Sequence, residues 1–178
     1  MKLTTTKEQF ILHWGEMGTK WGVNRSVSQI HALLFIVGKP MHAEEIATTL
    51  ALARSNVSNS IKELQNWQLV HTVSVLGDRR EHFATDEDVW VLLRTITAER
   101  QRREIEPTVR FLQQLMDSDA FNDEDSIAKD RIRQTHQLVA TLSQWMQQMM
   151  RLPSKTLVTI LQLGAKIQKL LPKHREER

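Results

Sequence analysis

Between Arg54 and Asn66 the side chains able to make specific polar contacts are short and closely spaced: Arg54, Ser55, Asn56, Ser58, Asn59, Lys62 and Asn66. If this stretch is a helix, advancing about 100° per residue, then Ser55, Asn59, Lys62 and Asn66 share one face, with Asn56 and Ser58 flanking it. Val57, Ile61 and Leu64 fall opposite at spacings of four and three, the pattern of a helix lying on a core. The outward face is polar and free of acid. Asn can pair bidentately with adenine, Ser can donate or accept, and Lys or Arg can reach guanine or phosphate, so the chemistry offered is the reading of base edges in a major groove. A face that is merely solvated more often carries Glu and Lys pairs.

A second cationic feature follows. Leu69 to Leu76 alternates apolar and polar residues well enough for a strand, Gly77-Asp78 supplies a tight turn, and a second strand is expected at Glu81 to Ala84. Arg79 and Arg80 would then stand at the hairpin tip, placed to neutralise phosphates or to enter a narrow minor groove. From Ile46 to Arg80 the bases are Arg54, Lys62, Arg79 and Arg80 and the acids only Glu63 and Asp78, so positive charge coincides with the proposed face although the net charge is a modest +3.

Other chemistries lack their residues. The seven histidines show no close pair at metal-ligand spacing. No glycine-rich phosphate loop is present, and Ser74 near His71 lies within an expected strand, with neither nucleophile elbow nor oxyanion hole. No metal, no cofactor and no enzymatic activity are expected. Cysteine is absent, which excludes disulfides and thiol chemistry. The first residues lack the apolar run of a signal peptide, and no segment approaches the roughly 20 apolar residues that span a bilayer. The expectation is a cytoplasmic protein with no membrane contact.

Positioning the polar face requires a scaffold. Glu44 to Leu50, with Ile46, Ala47 and Leu50 inward, forms the first helix of a helix-turn-helix, and Ala51, Leu52 and Ala53 make its turn. Upstream, Thr6 with Gln9 is expected to cap a helix striped by Phe10, Ile11, Trp14, Met17 and Trp21. Asn24 or Ser26 caps the next, which buries Val27, Ile30, Leu33, Leu34 and Val37 and ends at Gly38. Arg25 stands at or near its start, where helix starts and nearby cations both favour phosphate.

The combination resembles the MarR superfamily of winged-helix transcription factors, in particular the branch of glycine-betaine synthesis repressors, over roughly residues 7 to 118. It is carried by Gly22-Val23-Asn24-Arg25, Gly38-Lys39-Pro40-Met41, Glu45-Ile46-Ala47, the segment Ser55 to Asn59 and the turn Gly77 to Arg80. It departs at Ser28-Gln29, where the family often carries Gly-Arg. The resemblance implies a homodimeric DNA-binding regulator, a repressor, on a pseudo-palindromic operator. It also implies a choline-like effector such as glycine betaine or choline, held by aromatic rings through cation-π attraction. Trp14, Trp21, Trp67 and Trp90 are the candidates; the ligand-binding residues stay unassigned.

Beyond the wing, Asp86, Glu87 and Asp88 suit a helix start, followed by Val89, Leu92, Leu93 and Ile96. The charged run Glu99 to Glu106 reads as a solvated connector, Pro107 as a kink or break, and Asp117 to Asp125 as a polar loop. Ala128, Ile132, Thr135, Val139, Leu142, Met146 and Met149 then form a heptad seam widened by Leu138 and Trp145. Pro153 opens a last helix with Leu157, Ile160, Leu161, Ile167, Leu170 and Leu171 on one side, and the charged tail from Lys173 is expected to fray. The expected fold is mainly α with a small β wing. Residues 22–85 form the winged helix-turn-helix, and 1–21 with 86–178 a helical dimerisation region. The DNA-facing residues are Arg25, Arg54, Ser55, Asn56, Ser58, Asn59, Lys62, Arg79 and Arg80. Two readings compete: a winged helix used as a protein-interaction module, and a small-molecule binding protein with a vestigial DNA lobe.

Overall fold

The computed structural model describes residues 1–170, with side chains to residue 164. The expected apolar positions Ile167, Leu170 and Leu171, the histidine at 174 and the charged tail lie outside those side chains. The chain divides into two compact units, Met1–Ile96 and Thr97–Arg178.

The first unit is built around helix α2 (Arg25–Val37), in which Val27, Ile30, Ala32, Leu33 and Leu34 are all buried. Asn24 caps it, its Oδ1 accepting from the Ser26 N–H at 2.9 Å, and Gly38 closes it at φ +65°. Helix α1 (Thr5–Lys20) packs along α2. Its approach is close because α1 offers glycine where α2 offers bulk: a Cβ at Gly18 would lie 2.6 Å from Ser28 Cβ, and one at Gly15 would lie 2.6 Å from Gln29 Cγ. The N-cap is Thr4, not Thr6: its hydroxyl accepts from the Lys7 N–H at 3.5 Å, and Leu3 just before it packs on the core and sets where the chain enters the helix.

Helices α3 (Ala43–Leu50) and α4 (Arg54–Asn66) form the helix-turn-helix, with Ala51 in the left-handed region at φ 52°. Strands β2 (His71–Val75) and β3 (Asp78–Ala84) make the wing. The expected first strand is shorter than its apolar run because Leu69 and Val70 are buried beneath the hairpin as part of the core. A third strand that sequence periodicity did not reveal, β1 (Met41–His42), pairs with β3 through Met41↔Phe83 and His42↔His82. Two residues are too few to show alternation, yet they tie the start of the helix-turn-helix to the root of the wing.

One buried polar chain crosses this core. The Thr85 hydroxyl donates to the Leu69 carbonyl at 2.7 Å, so its oxygen accepts from His31 Nε2 at 3.2 Å, which places the imidazole proton on Nε2. Burial pushes His31 down to about 4.

Helix α5 (Val89–Arg100), started by Asp88 Oδ1 accepting from the Trp90 N–H at 2.7 Å, leads into the second unit. The charged run that follows is not a solvated connector. Glu99 is buried under its own partners, accepting from Arg102 at 2.7 Å and from Arg103 at 2.8 Å, and the Arg102 bond in particular holds its carboxyl below the ordinary range. Gln101–Ile105 winds as a π-helix, and α6 (Glu106–Met116) continues from it without a break at Pro107. The wider turn gives the proline ring, which has no N–H to donate, room against the preceding carbonyl. The expected polar loop holds a short helix, α7 (Asp119–Asp123), because Phe121 is buried under Arg133. Helix α8 (Ser126–Arg151) is capped by Asp125, and α9 (Ser154–Leu170) follows Pro153.

Candidate nucleic-acid interface

Helix α4 is anchored from below by Val57, Ile61 and Leu64, all buried against α2 and α3. The anchoring turns Arg54, Ser55, Ser58, Asn59 and Lys62 outward, all exposed. The helix's one acid, Glu63, is exposed on the flank of that face.

Asn56 differs from its neighbours. It is partly buried, its amide donating to Ser26 Oγ at 2.9 Å while its Oδ1 accepts from the buried Ser60 hydroxyl at 3.3 Å. These bonds pin the first turn of α2 to the first turns of α4. Arg25 is exposed there, and its stem lies where a Cβ at Gly15 would come within 3.2 Å of Arg25 Cγ. Asn56 thus aligns two elements and does not project beside Asn59.

The two wing arginines also differ. Arg80 Nε donates to both oxygens of Asp78, at 2.9 and 3.0 Å, and Arg80 Nη2 also pairs with Asp78 Oδ2. The Asp78 carboxyl further accepts the Arg80 backbone N–H at 3.0 Å, and Arg80's bonds hold it well below the usual carboxylate range. Buried His82 approaches Asp78 Oδ2 at 3.5 Å through Nε2. Arg80 is therefore oriented by its own strand while remaining half-exposed, and Arg79 is exposed beside it.

A cleft of about 330 Å³ lies between α4 and the wing root, lined among others by Glu44, Arg54, Ser58, Lys62, Arg80 and Glu81. It brings together four of the nine expected residues; Ser55 and Asn59 continue the helix face, and Arg25, Asn56 and Arg79 lie elsewhere. The acids Glu44 and Glu81 were not foreseen, because neither falls within the recognition helix. His42 was also missed: its Nδ1 accepts from the Glu45 N–H at 3.2 Å as the cap of α3, and its ring meets His82 edge-on at 5.5 Å. Histidine is not among the usual cap residues Ser, Thr, Asp and Asn, so its type gave no signal of this cap.

The tryptophans form no shared cage within the first unit. Trp14 stacks on Phe10 at 5.5 Å, Trp21 is exposed, Trp67 packs against the core, and none of the four candidates lines the cleft.

Residues 21–81 match the model of the MarR family. No curated protein matches the chain. Among solved structures, one described as a transcriptional regulator is 18% identical, with TM-score 0.68, covering 82% of this chain and 95% of its own. Lactococcus lactis ZitR is 17% identical with TM-score 0.33, covering 68% of this chain and 75% of its own. A MepR mutant from S. aureus is 14% identical with TM-score 0.37, covering 82% and 99%. The first establishes the winged-helix fold.

Proposed function

We propose that this chain, whose residues 21–81 carry the MarR-family winged helix, is a homodimeric, sequence-specific DNA-binding regulator that represses transcription from a pseudo-palindromic operator. The observation that carries the reading is the division of α4 into a buried apolar floor and an exposed face of Ser55, Ser58, Asn59 and Lys62, side chains short enough to meet base edges. Arg54 and Lys62 reach phosphate or guanine, and Arg25 meets the backbone at the start of α2. Arg79 and Arg80 serve the minor groove or backbone, and Asn56 holds the two helix starts in register.

Dimerisation is assigned to residues 1–21 and 86–178. Its support is the exposed stripe of Leu138, Leu142 and Trp145 on α8, each at least half exposed, which a single chain leaves in water. A two-fold dimer sets two recognition helices about 34–36 Å apart, one duplex turn. The proposal extends to a small effector such as choline or glycine betaine, supported by the resemblance to the betaine-repressor branch alone. No described helix is long and apolar enough to cross a membrane, and a cytoplasmic location completes the proposal.

Asn59→Ala is the direct test. Affinity for the selected operator should fall by about 1–3 kcal/mol while binding to random duplex is nearly unchanged. Equal losses on both DNAs would remove base reading from α4. The presence of Glu44 and Glu81 in the cleft favours the competing reading, a protein-interaction module. That reading predicts no preference for the selected operator over random duplex.

A further inference from the structure

Val75 and Asp78 pair across the wing, so Leu76 and Gly77 alone make the turn, with Gly77 at φ +83°. Turns of this length favour Asn, Asp and Gly, which supply conformational freedom or their own hydrogen bonds. Leucine supplies neither. Leu76 is nevertheless fully exposed at 103%, the most exposed large apolar side chain among the described residues, and Val75 beside it is exposed as well. The surroundings have the charge pattern of an anionic target: Arg79 stands exposed just past the turn, and the Asp78 carboxylate is matched by Arg80. The root of the same strand, at Arg80 and Glu81, lines one cleft with Arg54, Ser58 and Lys62, so hairpin and recognition helix present to a common partner.

We propose that Leu76 is an apolar wedge that enters the minor groove of duplex DNA and partly unstacks one base step, with Arg79 beside it on the groove wall. The inference rests on the DNA-reading proposal and adds to it a means of sequence selection that needs no base hydrogen bond. An inserted apolar side chain loses its contact with water as the step opens, and the bend it produces brings more backbone against the protein. Steps that unstack easily, TA and CA, are favoured under the wing, while a narrow groove alongside suits the arginine. Arginine alone would read groove width; the leucine adds deformability.

The test uses duplexes selected from a random pool by the wild-type protein, with 2-aminopurine placed at successive steps beneath the wing and a dye pair at the ends. Wild type should raise emission at one step and shorten the end-to-end distance. L76S should bind about tenfold more weakly, lose both signals and keep the slope of log affinity against log salt; L76M should restore all three. R79A should lower that slope by about one while keeping the emission rise. L76S with wild-type affinity and emission overturns the wedge and leaves the major-groove reading standing. So does L76S that changes self-association and not DNA binding. A selection that enriches no sequence overturns the DNA reading itself, and the wedge with it.

Discussion

The two units solve the problem of apolar surface differently. In Met1–Ile96 the helices and the small sheet enclose a core, and sixteen of the eighteen buried apolar residues among those described belong to it. Among the described residues of Thr97–Arg178 only Phe121 and Leu157 are in that class, although it holds the 26-residue α8, and Phe111, Leu138, Leu142, Trp145 and Leu161 are left largely in water. The first unit therefore has the means to hold its shape as a single chain. In the second, the stripe of Leu138, Leu142 and Trp145 on α8 is left exposed by a single copy, which is the physical basis for proposing an interface there. Rigidity is placed where base edges would be read, and unsatisfied surface where a second copy would dock.

The largest expected effect separates the two directly. Leu33 is wholly buried, and Leu33→Ala should cost about 2–5 kcal/mol of stability at any protein concentration. Leu142 is 55% exposed, and Leu142→Ser should leave monomer stability within about 0.5 kcal/mol while raising the dimer dissociation constant ten- to a hundredfold, roughly. Urea unfolding reads the first, and sedimentation equilibrium over a range of concentrations reads the second. If Leu142→Ser unfolds the chain without changing its mass, α8 is packing internally and the contrast between the units fails.

Acid should sharpen the same contrast. His31 is held neutral by burial at about 4, against 6.5 for the free side chain, so between those values the unfolded chain binds more protons than the folded one. Stability contributed by His31 is present above pH 6.5, falls as pH drops by up to about 1.4 kcal/mol per unit, and is lost by pH 4. The second unit's Glu99 has a lowered carboxyl, held down first by Arg102, so its contribution is present above its ordinary value of 4.5 and lost only below it. From pH 6.5 to 5, amide protection factors, which correct for the slower intrinsic exchange at lower pH, should therefore fall in α2 and stay constant around Gln101–Ile105. His31→Leu should flatten the response of α2; an unchanged pH dependence in that variant would assign the effect elsewhere.

The parts legible in the sequence were those with a long period. Val57, Ile61 and Leu64 repeat over a 13-residue helix, and their spacing was enough to identify the outward side. The wing could be read from alternation with Gly77-Asp78, and helix α8 from seven apolar-patterned positions at six alternating steps of four and three. What escaped was either too short or too local. Strand β1 has two residues and no period, and α7 has five with Phe121 as its single anchor. The roles of Asn56 and Arg80 depend on partners 30 positions away and two positions away, Ser26 and Asp78, which helical-wheel geometry does not weigh. The charged run at Glu99 misled because charge signals solvent only when it is unpaired; here two arginines on the next turn cover the carboxylate.

A smaller effect tests whether the second unit has any specified interior of its own. The buried Gln101 amide donates to the buried Ser143 hydroxyl, joining the π-helix to α8. Ser143→Ala would leave a buried amide hydrogen without its acceptor, a loss of about 1–3 kcal/mol, whereas Gln101→Leu with Ser143→Ala removes both partners and should be nearly neutral. The double variant therefore should be more stable than Ser143→Ala alone, in urea at a fixed protein concentration. Such a result would mean that this polar pair fixes how two helices register while contributing little net stability. If both variants lose the same amount, the pair is not coupled, and the register of α8 is set by its apolar contacts with α6.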